Sequence, residues 1–146
     1  FSFQLPEYAS VEKDTTAGKR AENNCWLTIK FPSFNGSINL TYKEITNKEN
    51  FAKLLEDAHK LSYNHTKKAN YIDEYNIENS KGSNGMVYDV GGEAASNYQF
   101  YMTDEKHHFL RGSLYFYNEP NVDSMKPIID FVRKDLDYML NTFEWK

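Results

Sequence analysis

The strongest constraint on the fold is a pair of alternating segments joined by an Asn–Gly turn. Apolar and polar residues alternate over residues 25–31 and again over residues 37–44, and Asn35 and Gly36 lie between the two segments. Asn and Gly both tolerate the positive φ that a tight hairpin requires. The pattern therefore predicts an antiparallel β-hairpin with one buried face.

The segment after this hairpin predicts a helix followed by more strands. Thr46 and Glu49 have the spacing of a capping box, and apolar residues follow at helical intervals over about residues 48–65. Alternation then returns. Further strands are predicted at residues 1–9, 71–77, 86–90, 98–103 and 107–117.

A second, longer helix is predicted near the end of the chain. Asp123 or Ser124 caps it, it reaches about residue 142, and Pro127 falls in its first turn, where a missing N–H costs little. The order of elements is strands, helix, strands, helix. This order predicts an α+β fold with a mostly antiparallel sheet flanked by two helices.

Length and charge limit the class of protein. The chain has 146 residues, which predicts a single domain over residues 1–146, with a flexible loop at the polar residues 12–24. Its net charge is −4, so it has no basic excess to neutralise phosphates, and we expect no nucleic-acid partner.

Signatures of catalysis and metal binding are missing from the sequence. There is no Gly-rich phosphate loop, no zinc-protease motif and no nucleophile elbow. The lone Cys25 cannot form an internal disulfide or a structural zinc site, and His59 and His65 lie too far apart on a helix to chelate one metal. A hydrolytic site at His65 or His107 has no supporting spacing. We therefore expect no enzymatic activity, no metal and no cofactor.

The final predicted helix carries a second aromatic stripe. Phe131, Tyr138 and Trp145 recur every seven residues, roughly opposite the apolar arc. A helix that buries one face has no need for such a stripe, so either another segment of the chain covers it or a protein partner binds it. These three residues, with Trp26 and Tyr117 as further members, form the candidate partner-binding surface.

Two other residues are candidates for a small-ligand site. Arg111 lies in register with Phe109 and Tyr115 on a predicted strand, where a buried arginine needs an anionic partner. It therefore either forms a salt bridge within the sheet or anchors a ligand. His65 either packs on the sheet, or compensates the dipole at the end of its helix, or joins Arg111 in a ligand site.

Six sequence blocks resemble the gliding-motility lipoprotein GldD family of Bacteroidetes. They cover essentially the whole chain in order: residues 25–32 (CWLTIKFP), 38–43 (INLTYK), 60–69 (KLSYNHTKKA), 108–116 (HFLRGSLYF), 120–124 (PNVDS) and 143–146 (FEWK). The resemblance implies a lipoprotein of the bacterial cell envelope. Its lipid would be attached to a cysteine upstream of Phe1, and therefore not to Cys25.

The resemblance also implies a role. The family is associated with gliding and with the linked type IX secretion machinery, as a non-enzymatic accessory whose partners are envelope proteins, and it brings no catalytic residues. The order of elements looks similar to the PsbP-like α/β/α sandwich, whose members serve as binding or assembly modules. We expect a protein-binding accessory. The alternative is an envelope domain that binds a small ligand or carbohydrate at Arg111 and His65.

Overall fold

The computed structural model describes residues 1–13, 25–64, 69–117 and 122–146. In these residues seven strands form one antiparallel sheet in the order β1-β2-β3-β7-β6-β5-β4. The strands are β1 (Ser10–Lys13), β2 (Cys25–Phe31), β3 (Gly36–Glu44), β4 (Ala69–Glu78), β5 (Asn84–Gly92), β6 (Tyr98–Thr103) and β7 (His108–Phe116). The helices are α1 (Lys48–Tyr63) and α2 (Val122–Asn141). The predicted α+β class with a mostly antiparallel sheet is confirmed.

The hairpin of β2 and β3 is confirmed, with a turn longer than two residues. A short 3-10 turn, Pro32–Phe34, follows β2, and Asn35 then adopts the left-handed conformation with φ of 50°. Gly36 pairs directly with Phe31 in the ladder. The left-handed residue reverses the chain at Asn35, which is one of the few residue types that accept this conformation cheaply.

Helix α1 begins as predicted, but the capping residue is different. Asn47, and not Thr46, is the N-cap, and its side chain accepts a hydrogen bond from the backbone N–H of Asn50 at 2.8 Å. The side chain of Asn50 in turn accepts from the backbone N–H of Thr46 at 3.2 Å. The side chains of Asn47 and Asn50 therefore cap the start of α1, the role that the sequence pattern assigned to Thr46 and Glu49.

Two other local predictions are corrected. Helix α2 begins at Val122, so Pro127 lies inside the helix and not in its first turn. Strand β5 extends past its predicted end to Gly92, because Gly91 leaves room for the ring of Tyr71 on the neighbouring strand: a Cβ at Gly91 would lie 2.0 Å from that ring.

The prediction of a strand over residues 1–9 is wrong. Only Ser2 forms a β-bridge there, with Glu144, and the first strand is β1. The first nine residues instead lie against α2 and the end of the chain, where their side chains have apolar neighbours to contact. Residues 12 and 13 of the predicted loop belong to β1, and residues 14–24 lie outside the described residues.

The two helices cover opposite faces of the sheet. Helix α2 packs on the face that contains Phe100 and Leu114, and α1 packs on the face that contains Tyr101 and Phe109. Neighbouring residues of a strand point to opposite faces, so the helices sandwich the sheet. We call the side covered by α2 the closed face. The other side is covered by α1 only over part of its width, which includes Phe109 at one end of β7. We call the part formed by β2, β3 and the rest of β7, which α1 covers incompletely, the open face.

Candidate functional site

A groove of about 360 Å³ separates α1 from the open face. On the helix side it is lined by Leu54, Asp57 and Leu61. On the sheet side the lining residues are Trp26, Asn39, Thr41, Lys43, Phe109, Arg111, Ser113 and Tyr115. The volume falls within the range of pockets that hold small molecules, and the lining combines aromatic, apolar and charged groups.

Arg111 lies on the sheet side of this groove, partly buried, and its partner is a neutral amide. Its Nη2 donates a hydrogen bond to Oε1 of Gln99 at 2.6 Å. Among the residues that the structure describes, no carboxylate oxygen lies within 4.0 Å of the Arg111 guanidinium. Burial lowers the pKa of Arg111, and Tyr115 and Tyr88 offset this effect only in part. The sheet salt bridge that the sequence left open is therefore not formed within the described ranges.

Gln99, the hydrogen-bond partner of Arg111, belongs to a buried polar cluster. Its side chain is fully buried, and the hydroxyls of Ser62 and Ser113 lie 3.5 Å from the same Oε1 that accepts from Arg111. The Nε2 atom of Gln99 is buried with no hydrogen-bond partner in the described part of the chain. The cluster orients the guanidinium through one neutral acceptor and leaves its positive charge without compensation.

Two of the predicted partner-binding residues, Trp26 and Tyr117, lie on the open-face side of the sheet. Trp26 is 43% exposed and Tyr117 is 63% exposed. Trp26 lines the groove, whereas the hydroxyl of Tyr117, just beyond β7, forms a 2.8 Å hydrogen bond with the hydroxyl of Ser37. The structure thus brings both residues to the same side of the sheet as Arg111, which the sequence placed in a different candidate site.

Phe131 and Tyr138 lie elsewhere, on the outer surface of α2. Both are at least half exposed, but both are also contacted by residues outside α2. The ring of Phe131 lies 5.9 Å from that of Tyr8 and 5.8 Å from that of Phe34, and the Tyr138 hydroxyl donates to Oε1 of Gln4 at 2.7 Å. The chain itself therefore covers part of this stripe.

Trp145 does not belong to the stripe, and this part of the prediction is wrong. Helix α2 ends at Asn141, so the seven-residue spacing no longer describes a helical face at position 145. The Trp145 ring stacks on His108 at 5.1 Å and meets Phe143 edge-on at 4.7 Å. Its Nε1 atom is buried without a hydrogen-bond partner among the described residues.

The described histidines lie near carboxylates but beyond hydrogen-bond distance of them, and His59 Nδ1 lies 3.7 Å from Oε1 of Glu74. His65 lies outside the described residues, so its predicted role as a ligand group stays a prediction. The Nδ1 of His107 and the Nε2 of His108 approach Asp104 only to 3.9 and 4.0 Å, while His108 Nδ1 forms a 2.7 Å hydrogen bond with the Tyr42 hydroxyl.

Asp104 has a structural task in the turn between β6 and β7. Its Oδ1 accepts the backbone N–H groups of Lys106, His107 and His108 at 3.0, 2.8 and 2.8 Å. Burial alone would raise the pKa of Asp104, but these three hydrogen bonds together lower it below its ordinary value. A carboxylate engaged in this way closes a turn and is not positioned as a general base.

Within residues 1–13, 25–64, 69–117 and 122–146, no group of three or more His, Cys, Asp or Glu side chains is placed to hold a metal ion. In the same ranges neither helix has the length and the apolar character needed to cross a membrane.

Comparison with known proteins identifies the family. The family model described as gliding motility lipoprotein GldD matches residues 1–145. No curated protein and no solved structure matches the chain. The matched residues include both helices and all seven strands of the described sheet. The chain therefore belongs to the gliding motility lipoprotein GldD family, whose members are lipid-anchored envelope proteins associated with gliding motility.

Proposed function

We propose that the chain is a non-enzymatic accessory of the motility apparatus that binds a protein of the cell envelope on the open-face side. The observation that carries this proposal is the exposure of Trp26 and Tyr117 on a side of the sheet that α1 leaves partly uncovered. Trp, Tyr and Arg are the residue types that dominate the energetics of protein interfaces, and Arg111 and Tyr115 lie on the same side.

The outer surface of α2 is a weaker candidate for the same role. Tyr8 and Phe34 already contact Phe131, and Gln4 already binds Tyr138. A partner that docked on this surface would meet a face partly occupied by the chain itself. These contacts favour the open-face side as the docking surface, with Phe131 and Tyr138 as a comparison surface.

Site-specific photo-crosslinking in cells of the source bacterium tests the proposal. A photoreactive residue replaces Asn39 on the open face in one strain and Lys134 on α2 in another, since both positions are exposed. We expect one envelope protein to crosslink at position 39 and not at position 134. The Trp26→Ala/Tyr117→Ala double variant should lose this crosslink, while the matched Phe131→Ala/Tyr138→Ala variant should keep it. Equal loss in both, or crosslinking at position 134 alone, would contradict the proposal.

The groove supports a second candidate function, the binding of a small ligand or carbohydrate. The observation in its favour is the charged Arg111 on one wall of a groove of about 360 Å³, beside the exposed ring of Trp26. Among the described residues that line the groove there is no histidine and no cysteine, so the lining offers groups for recognition and no nucleophile–base pair of that kind. Isothermal titration of the purified domain with small acidic and neutral ligands tests this candidate.

A further inference from the structure

We propose that the groove between α1 and the open face binds a sugar that carries a carboxylate, with Arg111 as the residue that receives the carboxylate. The proposal deepens the second candidate function, on which it rests, and does not depend on the docking of a protein. It assigns an acidic carbohydrate, such as a uronic acid, as the chemical class of the ligand.

The charge of the groove is the first argument. Arg111 and Lys43 are the cations that line it, and Arg111 has no carboxylate partner among the described residues. A partly buried cation that faces only a neutral amide is unfavourable until an anion approaches it. Asp57 is the carboxylate among the described lining residues and forms no ion pair with either cation, so two cations face one anion and the groove has a net positive charge in a chain whose net charge is −4.

The remaining hydrogen-bond capacity of Arg111 is the second argument. A guanidinium has five N–H donors in a planar fork, and Gln99 Oε1 accepts from one of those on Nη2. Such a fork matches the two oxygens of a carboxylate better than it matches a single hydroxyl. Thr41 pairs with Arg111 across β3 and β7, and its side chain lines the same groove, so a hydroxyl lies beside the expected position of the carboxylate.

The position of Trp26 is the third argument. Trp26, Thr41 and Arg111 form one row across β2, β3 and β7, because Trp26 pairs with Thr41 and Thr41 pairs with Arg111. With strands about 4.8 Å apart, the backbones at the two ends of this row are roughly 10 Å apart. A pyranose ring packed against the exposed indole can therefore direct its carboxylate along the row to Arg111.

The size and the other polar groups of the groove favour a sugar over a folded protein element. A helix with its side chains is about 10 Å across, so even one turn of about 5.4 Å fills more than the groove's volume of about 360 Å³. Asp57 and Asn39 line the groove on its two sides and offer oxygen acceptors for ring hydroxyls. The groove therefore has an acceptor set for hydroxyls, a ring platform and a cation for the acid group.

The test is a calorimetric titration of the purified domain with digalacturonate, and with the neutral digalactoside of the same linkage as the matched ligand. We expect digalacturonate to bind at least about tenfold more tightly than the neutral sugar. Arg111→Gln should weaken digalacturonate binding by about tenfold or more, and Arg111→Lys by less, because lysine keeps the charge and loses the fork. Lys106→Gln, which removes an exposed cation outside the groove, should leave the affinity unchanged.

Circular dichroism of each variant shows that it is folded, and amide NMR shifts at Ser113 and Tyr115 locate the ligand in the groove. Three results would overturn the proposal: no saturation by digalacturonate at millimolar concentrations, equal affinity for the neutral sugar, or an affinity that Arg111→Gln leaves intact. Binding of an acetylated Asp-Asp peptide in place of digalacturonate would also overturn it and would assign the carboxylate to a protein. Photo-crosslinking at position 39 uses no sugar, so failure of either experiment leaves the other result readable.

Discussion

The two faces of the sheet differ in how completely they are covered, and the difference separates stability from recognition. Helix α2 closes one face over an apolar layer in which the residues are almost fully buried, namely Ile29, Phe31, Ile38, Leu40, Phe100, Leu110, Leu114, Val132, Leu136 and Leu140. Helix α1 buries a much smaller cluster on the opposite face, centred on Leu54, Ala58 and Phe109. The chain obtains its core from the closed face, and this leaves polar and aromatic side chains on the other side available for a ligand.

Two arginines show the same contrast. Arg133 of α2 lies on the closed face and forms an ion pair with Asp89 of β5, with both side chains mostly buried. Arg111 lies on the opposite side and has a neutral amide as its partner. A paired buried charge is part of the fold, whereas an unpaired one is a cost that binding of an anion would relieve.

The largest effect is expected from truncating the same residue type on the two sides. Leu136→Ala on the closed face should lower the free energy of unfolding by about 4 kcal/mol, because it leaves a cavity in a packed layer. Leu136 is 2% exposed and Leu61, on the lip of the groove, is 44% exposed. Leu61→Ala should cost less than about 1 kcal/mol. Urea denaturation of both variants measures the two drops in the free energy of unfolding. Equal drops would show that the two faces do not differ in their contribution to stability.

The ion pair of the closed face gives the next effect. Arg133→Met should lower the free energy of unfolding by about 3 kcal/mol, because it leaves the carboxylate of Asp89 mostly buried without its partner. Burial already raises the pKa of Asp89, although Arg133 opposes the rise. The raised pKa means that the charged form of Asp89 is destabilised in the folded state. The drop in the free energy of unfolding caused by Arg133→Met should therefore shrink as the pH falls through the folded pKa of Asp89, because the carboxyl becomes neutral. Thermal melts at several pH values measure this, and a loss that grows on acidification would contradict the assignment.

The turn between β6 and β7 links strands that contribute to both faces. Asp104→Ala should cost about 2 kcal/mol, because three backbone N–H groups lose a charged acceptor. The pKa of Asp104 is lowered from its ordinary value of 3.8, so its stabilisation is present above that value and lost as the pH falls through the folded pKa. This sign is opposite to that for Asp89. The free energies of unfolding of the wild type and of Asp104→Ala, measured over an acid titration, should therefore converge below the folded pKa of Asp104. A difference that grows there would contradict the sign.

The smallest effect is expected at Arg111. Arg111→Met should lower the free energy of unfolding by only about 1 kcal/mol, because the substitution leaves no carboxylate unpaired and the hydroxyls of Ser62 and Ser113 remain close to the Gln99 Oε1 that loses its charged donor. The comparison with Arg133→Met uses the same substitution on the two sides of the sheet. Urea denaturation in parallel measures both, and a loss at Arg111 as large as that at Arg133 would show that Arg111 is structural.

Much of the fold is predictable because its signals are local. The Asn35 turn, the helical spacing before residue 63 and the alternation in β6 and β7 each depend on residues close together in the chain. The N-cap of α1 was misplaced by one residue because Thr46 and Asn47 are both good capping types and only the backbone conformation chooses between them. The ends of several strands also differ from the predicted ends, because neighbouring residues fit a strand equally well and only the pairing with the adjacent strand chooses between them.

The candidate site was predictable only in part. The sequence singled out Trp26, Tyr117 and Arg111, but assigned them to two different sites, because their common position depends on strand order. It also assigned Trp145 to the stripe of Phe131 and Tyr138, because a seven-residue spacing continues past the point where the helix ends. Asp57 carried no signal, since an acid on the solvated face of an amphipathic helix is ordinary.

The sequence by itself determined both helices, six of the seven described strands, the α+β class and the family, because local patterns and the order of residues along the whole chain carry this information. Only the tertiary structure decided which side of the sheet stays partly open, that Arg111 faces Gln99 and no described carboxylate, and that the first residues of the chain cover part of α2. These outcomes depend on contacts between residues far apart in sequence. Their energies are set by burial and by neighbours on other strands, which no local pattern records.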